Sequence, residues 1–451
     1  MFSISSWWNH TPKQEKFVQF VVFLFVFGYS TDISGAMLGW PMGLAWLYIV
    51  YDCIKKRSLA GFYMPRNYWL GTVVFLGSVV LASVLLGDKP SMQMAEQYVY
   101  WALPFPVLFY LGKQADVKYA ALLGVMVSVL ASAGNMAYVK YLLMQGQQLQ
   151  TNFGARFGAF GRYPNVYSLL AIGVLPVLLA SLKDIRLRSH TGVLILQLIV
   201  SIAGLWSLWI AHSRGAMLGM VVGALFVLWA VYYCNSAWKA VLSLVLMIVL
   251  AYAGVAFSGV MPEGEKHVYD NTARLRAMKF TYNMWKDHKL LGVGLANWRK
   301  EYTTHYLDKE EVRKAAHQYY INLKQKTGGQ YSAQEDAVMQ NVALREELDF
   351  RTPHNVTIWF FGTTGILGGA GYLFFLLSYM HLLLQKAKEY PDEWLLAAGL
   401  WLFVAITIHS VVDVGIIYKG AARLQYIMLG ITLSYAYTRQ TGLQQNSPMI
   451  S

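Results

Sequence analysis

The chain has 451 residues, of which 56% are hydrophobic and only 14% charged, against about 25% charged in ordinary soluble domains. A soluble fold of this length needs far more polar surface, so that class is excluded. The formal net charge of +13 does not call for nucleic acid here, because in a membrane protein basic residues retain loops in the cytoplasm and meet anionic lipids.

Apolar runs of spanning length follow one another from the N-terminus. Trp7 and Trp8 precede Lys13 and Lys16, and the first run then starts at 17–29. This reads as a retained first helix rather than a cleaved signal peptide. Further runs occupy 33–50, 68–86, 98–111 (interrupted by Pro104 and Pro106), 119–144, 166–182, 193–210, 215–233 and 240–260. After a polar stretch come 355–384, 394–414 and 421–437. The pattern predicts an all-α polytopic membrane protein of about twelve transmembrane helices. Its organisation is 1–260 for helices 1–9, 261–353 for a large loop domain, and 354–451 for helices 10–12 with a C-terminal tail.

Orientation follows from the short loops. Lys55, Lys56, Arg57, Arg66, Lys113, Lys118, Lys183, Arg186, Arg188, Lys239, Lys386 and Lys388 fall on one side, with Lys13, Lys16 and Arg439 at the termini. That side is cytoplasmic, so both termini are expected inside and the 261–353 loop outside. Cys53 and Cys234 lie at cytoplasmic loop ends, so no disulfide is expected. Within the loop, 272–288 and 310–326 have helical spacing of apolar residues, whereas the Gln, Asn and Glu-rich stretch after 326–329 reads as loosely ordered.

No P-loop, HExxH, paired CxxC or GxSxG occurs. Gly365 and Gly369, with small-xxx-small spacing, read as helix packing. The informative residues are outer-side cations, for which the positive-inside rule gives no reason. Arg156 and Arg162 lie in 152–165 (NFGARFGAFGRYPN), just before the sixth span. Arg214 lies in the tight turn 212–215 (HSRG), and His354 and Asn355 open the tenth span in 351–356 (RTPHNV). Each has a plain competing reading: a snorkelling arginine, solvated loop residues, a packing histidine. Topology nevertheless gathers them at one membrane face.

Arginine's planar fork suits phosphate oxygens. Several arginines at a membrane mouth would hold a lipid-linked phosphate or diphosphate. Thr352 and Pro353 read as an N-cap and first helical residue, which would put His354 in the first turn. There the positive helix end would favour a neutral imidazole able to act as a general base. Asp413, four residues after His409, is an acid in a membrane helix, either functional or a partner for an inward-facing arginine. No carboxylate cluster has convincing metal-ligand spacing.

Taken in order, 156–165 (RFGAFGRYPN), HSRG, the stretch from Arg274 to 291–295 (LGVGL) and Trp298, and His354 with Asn355 before 365–368 (GILG) resemble the O-antigen ligase family and, more widely, the O-antigen ligase/polymerase superfamily. The likeness covers roughly 150–415. It implies about twelve spans with a large periplasmic loop between helices 9 and 10. It also implies transfer of a glycan from undecaprenyl diphosphate to the lipid A–core oligosaccharide at the periplasmic face of the bacterial inner membrane, without metal, nucleotide or other cofactor. By position, Arg156, Arg162 and Arg214 would grip the diphosphate, Arg274 would help close the site, and Lys89 would add a further phosphate contact. His354 would activate the acceptor hydroxyl, with Asn355 and Asn165 in support. Lys289 stands where the family often has Pro. A polymerase of the same superfamily, or another lipid-linked oligosaccharide transferase, shares these features. A transporter of an anionic lipid-linked glycan would instead place charges near the midplane.

Overall fold

The computed structural model describes residues 12–32, 35–145, 158–161, 164–234, 236, 239–240, 242–244, 265–326, 332–413 and 415–442. Its longer helices are α1 (Lys13–Thr31), α2 (Gly35–Lys56), α3 (Arg66–Leu86), α4 (Lys89–Ala102), α5 (Pro104–Gln114) and α6 (Lys118–Met144). These are followed by α7 (Pro164–Ile172), α8 (Leu175–Ser181), α9 (Thr191–Ala211), α10 (Arg214–Tyr232), α11 (Glu265–Asp287), α12 (Lys309–Lys326) and α13 (Ala333–Leu348). The last three are α14 (Val356–Glu389), α15 (Trp394–Val412) and α16 (Lys419–Thr441). No strand occurs among the described residues.

Six of these helices are long and apolar enough to cross a membrane: α3, α6, α9, α10, α14 and α15. Many of their large apolar side chains face outward, as Ile202, Trp209, Val221 and Leu225 do; in a membrane that surface meets lipid rather than water. The expected fourth span is two helices meeting at Leu103, where two prolines remove backbone donors. The expected sixth is likewise split, at Gly173 and Val174 before Pro176. Most of the expected ninth span, 240–260, lies outside the described residues.

Helices pair chiefly as α3 with α14, α10 with α15, α16 with α5, and α1 with α6. The contacts are those of close-packed membrane helices. Trp401 Nε1 donates to the Met220 carbonyl at 2.9 Å, and the Thr72 and Tyr379 hydroxyls meet at 2.7 Å. At one end of α15, Lys118 lies 3.6 Å from Asp184, which also accepts from Trp394 Nε1 at 2.9 Å and from the Tyr119 hydroxyl at 3.0 Å. This buried polar knot ties α6, the α8–α9 connection and α15 together. The candidate functional residues lie at the opposite end of α15.

Helix α14 is not continuous. Its 34 residues would run about 50 Å as one helix, well beyond a hydrocarbon core of about 30 Å. At Gly365 (φ 63°, ψ −160°) the helix breaks, in a region open essentially to glycine alone. The break removes the helical bonds from Ile366 to Gly362 and from Leu367 to Thr363. The segment after α11 supplies partners for these four groups. Ile366 N–H donates to the Lys289 carbonyl (2.7 Å) and Leu367 N–H to that of Leu290 (3.4 Å), while Val293 and Gly294 N–H donate to the carbonyls of Gly362 (3.0 Å) and Thr363 (2.9 Å). A Cβ on Gly365 would land on the backbone of Leu290, and one on Gly292 (φ 66°) on that of Thr363. Gly365 is therefore a breakpoint rather than the helix-packing residue its spacing suggests. Lys289 contributes its carbonyl to this exchange.

The two helices expected in the loop are present as α11 and α12. A third, α13, occupies part of the stretch expected to be loosely ordered, started by a capping box between Ser332 and Glu335. Arg276 on α11 pairs with the fully buried Glu347 on α13, which fixes the α12–α13 hairpin to α11. Trp298 stacks on Tyr302 (ring centroids 4.7 Å apart) and donates to Thr281 Oγ1 at 2.9 Å, holding the segment after the exchange against α11.

Gly365→Ala should lower stability by about 2–4 kcal/mol, from forced φ and steric overlap together. Gly77→Ala, where an added Cβ meets nothing within 4 Å, should be neutral or slightly stabilising. Melting temperatures of the two purified variants in the same detergent check this: equal values would refute the inserted-backbone arrangement.

Candidate functional site

The far end of α15 collects parts of the chain that are distant in sequence. Asp413, one residue beyond the helix, is buried, and His354 Nδ1 lies 3.4 Å from its Oδ1. Burial works against charge on Asp413, and the hydrogen bond from His354 offsets it. Arg274 reaches in from α11, its Nη1 donating to the Val412 carbonyl at 3.3 Å.

His354 is presented by a bent segment rather than by a helix turn. The expectation of a cap at Thr352 with His354 in the first turn is corrected. The N-cap is Asn355, whose Oδ1 accepts from Ile358 N–H at 3.0 Å, and α14 starts at Val356. Threonine and asparagine are both good caps; the asparagine also donates Nδ2–H to the Val411 carbonyl at 2.9 Å, which only the residue nearer α15 can do. His354 has φ 54°, a left-handed conformation that histidine enters more readily than most residues. Its amide donates to Thr352 Oγ1 at 3.4 Å, and its ring meets Phe350 edge-on at 5.3 Å. The imidazole is only partly covered, its side chain 20% exposed against 6% for Asp413.

Arg214 begins α10. The turn before it forms because His212 takes φ 49° and closes α9, its N–H donating to the Trp209 carbonyl at 3.0 Å. Ser213, buried, sits 3.5 Å from Nε2 of the buried His409. On the other side of Arg214, a Cβ on Gly215 would run into Val412. The turn is thus seated against the last two turns of α15, and the Arg214 side chain projects from it, exposed.

The site therefore joins His354, Asn355 and Arg274 with Asp413 and His409, beneath the turn bearing Arg214. Lys89 opens α4 and is exposed. Its neighbours Asp88 and Ser91 contact Asn297 and Ala296 in the segment after α11 (3.1 and 3.3 Å); no hydrogen bond or ion pair joins Lys89 itself to His354 or Asp413. Arg156 and Arg162 lie outside the described residues, as does the side chain of Asn165 in the first turn of α7. Among the described residues, no three His, Cys, Asp or Glu side chains form a group that could hold a metal ion. The His354–Asp413 pair was not legible from the sequence, because 59 residues separate the two. The only signal was an acid at the end of an apolar run.

Chemically, the arrangement offers a carboxylate-oriented imidazole with the Arg274 guanidinium reaching the adjoining Val412 carbonyl. With Nδ1–H given to Asp413, Nε2 is left as an acceptor for a proton. Nδ1 lies 3.4 Å from Asp413 Oδ1, a long hydrogen bond.

Asn355→Ala removes both the cap and the tie to Val411. It should cost about 1–3 kcal/mol. A fall in melting temperature, accompanied by loss of the His354 imidazole's downfield Nδ1–H resonance, checks its holding role; a stable protein with that resonance unchanged would refute it.

Compared with known protein families, residues 199–373 match the family described as O-Antigen ligase. The match takes in the Arg214 turn, Arg274, the inserted backbone and the His354 segment. A search of curated proteins found no match.

Proposed function

We propose that this chain, a multi-pass membrane protein of the O-antigen ligase family, is a glycosyltransferase that moves an O-antigen glycan from undecaprenyl diphosphate onto the lipid A–core oligosaccharide. The reading carries the remaining helices as further spans, about twelve in all, with both termini cytoplasmic and the α15 site facing the periplasm of the inner membrane. One observation supports it most strongly: the His354–Asp413 pair lies beside Arg274 and under the Arg214 turn, at the membrane end where a lipid-linked diphosphate would arrive.

The reaction follows from these groups. The acceptor sugar hydroxyl attacks the anomeric carbon of the donor. His354 Nε2 takes the hydroxyl proton as the new C–O bond forms, and Asp413 stabilises the imidazolium through Nδ1. The bond from the anomeric carbon to the phosphate oxygen breaks, and its electron pair leaves on the undecaprenyl diphosphate. Arg214 and Arg274, with Arg156 and Arg162 from the segment before α7, offset the charge on that leaving group. Lys89 would give a more distant phosphate contact, and Asn165 support at α7. A single displacement of this kind inverts the anomeric centre. The α11–α13 insert, held to α14 through the shared backbone bonds, acts as the roof of the site.

In an assay with purified lipid-linked glycan and lipid A–core, His354→Ala should lower kcat by about 10²–10⁴-fold, the range of general-base catalysis. Arg214→Ala should lower it by roughly 10²-fold through lost charge stabilisation. Near-normal turnover in both folded variants would overturn the assignment. Transfer to a second lipid-linked glycan, with none to lipid A–core, would make the chain a polymerase.

A further inference from the structure

Among the described residues of this region, His409 is a buried ionisable side chain that glycan transfer leaves without a task. Its ring is wholly buried near the end of an apolar helix, one turn before Asp413. Nε2 faces Ser213 Oγ at 3.5 Å, while Nδ1 is buried with no hydrogen-bond partner among the described residues. A leucine there would fill the space without stranding a polar atom, so packing alone does not account for an imidazole. Its surroundings do. The ring's Cδ2 lies 3.5 Å from where a Cβ on Gly215 would sit. It thus touches the Arg214 turn on both flanks, Ser213 before and Gly215 after. In the chain it stands one turn before Asp413.

We propose that His409 is a positioning residue: through Nε2 and the Ser213 hydroxyl it locks the Arg214 turn in register with the Asp413–His354 pair. It does not touch substrate. It sets where the Arg214 guanidinium lies relative to the base, and so how well a lipid diphosphate is gripped in the orientation His354 can use. This role takes the glycan-transfer reading as its premise. The chemistry is directional, because Ser213 meets one nitrogen only. A glutamine amide reaches the position of Nε2, whereas an asparagine amide reaches that of Nδ1.

The test uses the full chain in nanodiscs, with binding of undecaprenyl diphosphate and steady-state donor kinetics measured for His409→Leu, His409→Asn, His409→Gln, Ser213→Ala and Arg214→Ala. His409→Leu, His409→Asn and Ser213→Ala should weaken lipid-diphosphate binding and raise the donor KM about tenfold, the scale of one lost hydrogen bond to a charged network. In these variants kcat should fall too, but by less than the roughly 10²-fold of Arg214→Ala. His409→Gln should restore both quantities to near wild type. A purely structural histidine would give the three His409 variants graded losses in melting temperature, with no selective recovery by glutamine. If His409→Leu does not fold, Ser213→Ala decides, since it removes only a hydroxyl. Unchanged binding in Ser213→Ala, or equal behaviour of His409→Gln and His409→Leu, would overturn the role. If Arg214→Ala also binds the lipid diphosphate normally, the glycan-transfer reading itself fails; if Arg214→Ala is impaired while the His409 and Ser213 variants are not, only the positioning role is lost.

Discussion

Four backbone hydrogen bonds hold this architecture together. At Gly365 α14 is broken by a positive φ, and the irregular segment 289–294 partners two donors and two acceptors at the break. Away from water each orphaned group would cost several kcal/mol, so irregular backbone survives there only when protein supplies the partners. The exchange has a cost of its own. It demands glycine at Gly365 and Gly292, where any Cβ would overlap the opposing backbone. In return it welds the end of α11 to a membrane-spanning helix, so that α11 cannot drift relative to α14 and α15.

The site depends on that weld. Arg274 comes from α11, His354 from the segment leading into α14, Asp413 and His409 from α15, and the Arg214 turn from between α9 and α10. Asn355 clips the second of these to the third through Val411, and Arg274 reaches the neighbouring Val412 carbonyl. The last turn of α15 is therefore a hub on which the other three pieces are indexed. Burying Asp413 is costly unless its charge is met; His354 Nδ1 lies 3.4 Å away, and under the proposed function the same imidazole is the general base.

Much of this was legible in the sequence where a one-dimensional signal is strong. Long apolar runs marked the membrane helices, Pro104 and Pro106 marked the break between α4 and α5, and HSRG marked a tight turn with a cation; 166–182 read as one span, and its break before Pro176 was missed. Topology then placed Arg214 and His354 on one face. What the sequence did not disclose is tertiary. Gly365 and Gly369 have the spacing of a packing motif, and nothing local distinguishes a packed glycine from one at which the helix opens to admit another strand of backbone. Thr352 followed by Pro353 is a good helix start, yet Asn355 wins because it alone can also reach α15. The α13 helix was missed through its polar composition, although Ser332 and Glu335 carried a capping-box signal. His354 and Asp413 become partners only when α14 and α15 pack side by side.

The most direct measurement is an experimental structure of the full chain with undecaprenyl diphosphate bound. The diphosphate should lie between Arg214 and Arg274, with His354 Nδ1 on Asp413 and Nε2 facing the end of the phosphate chain where the glycan attaches. A lipid head group seated elsewhere, with His354 turned away from it, would contradict the convergence on which the functional reading stands.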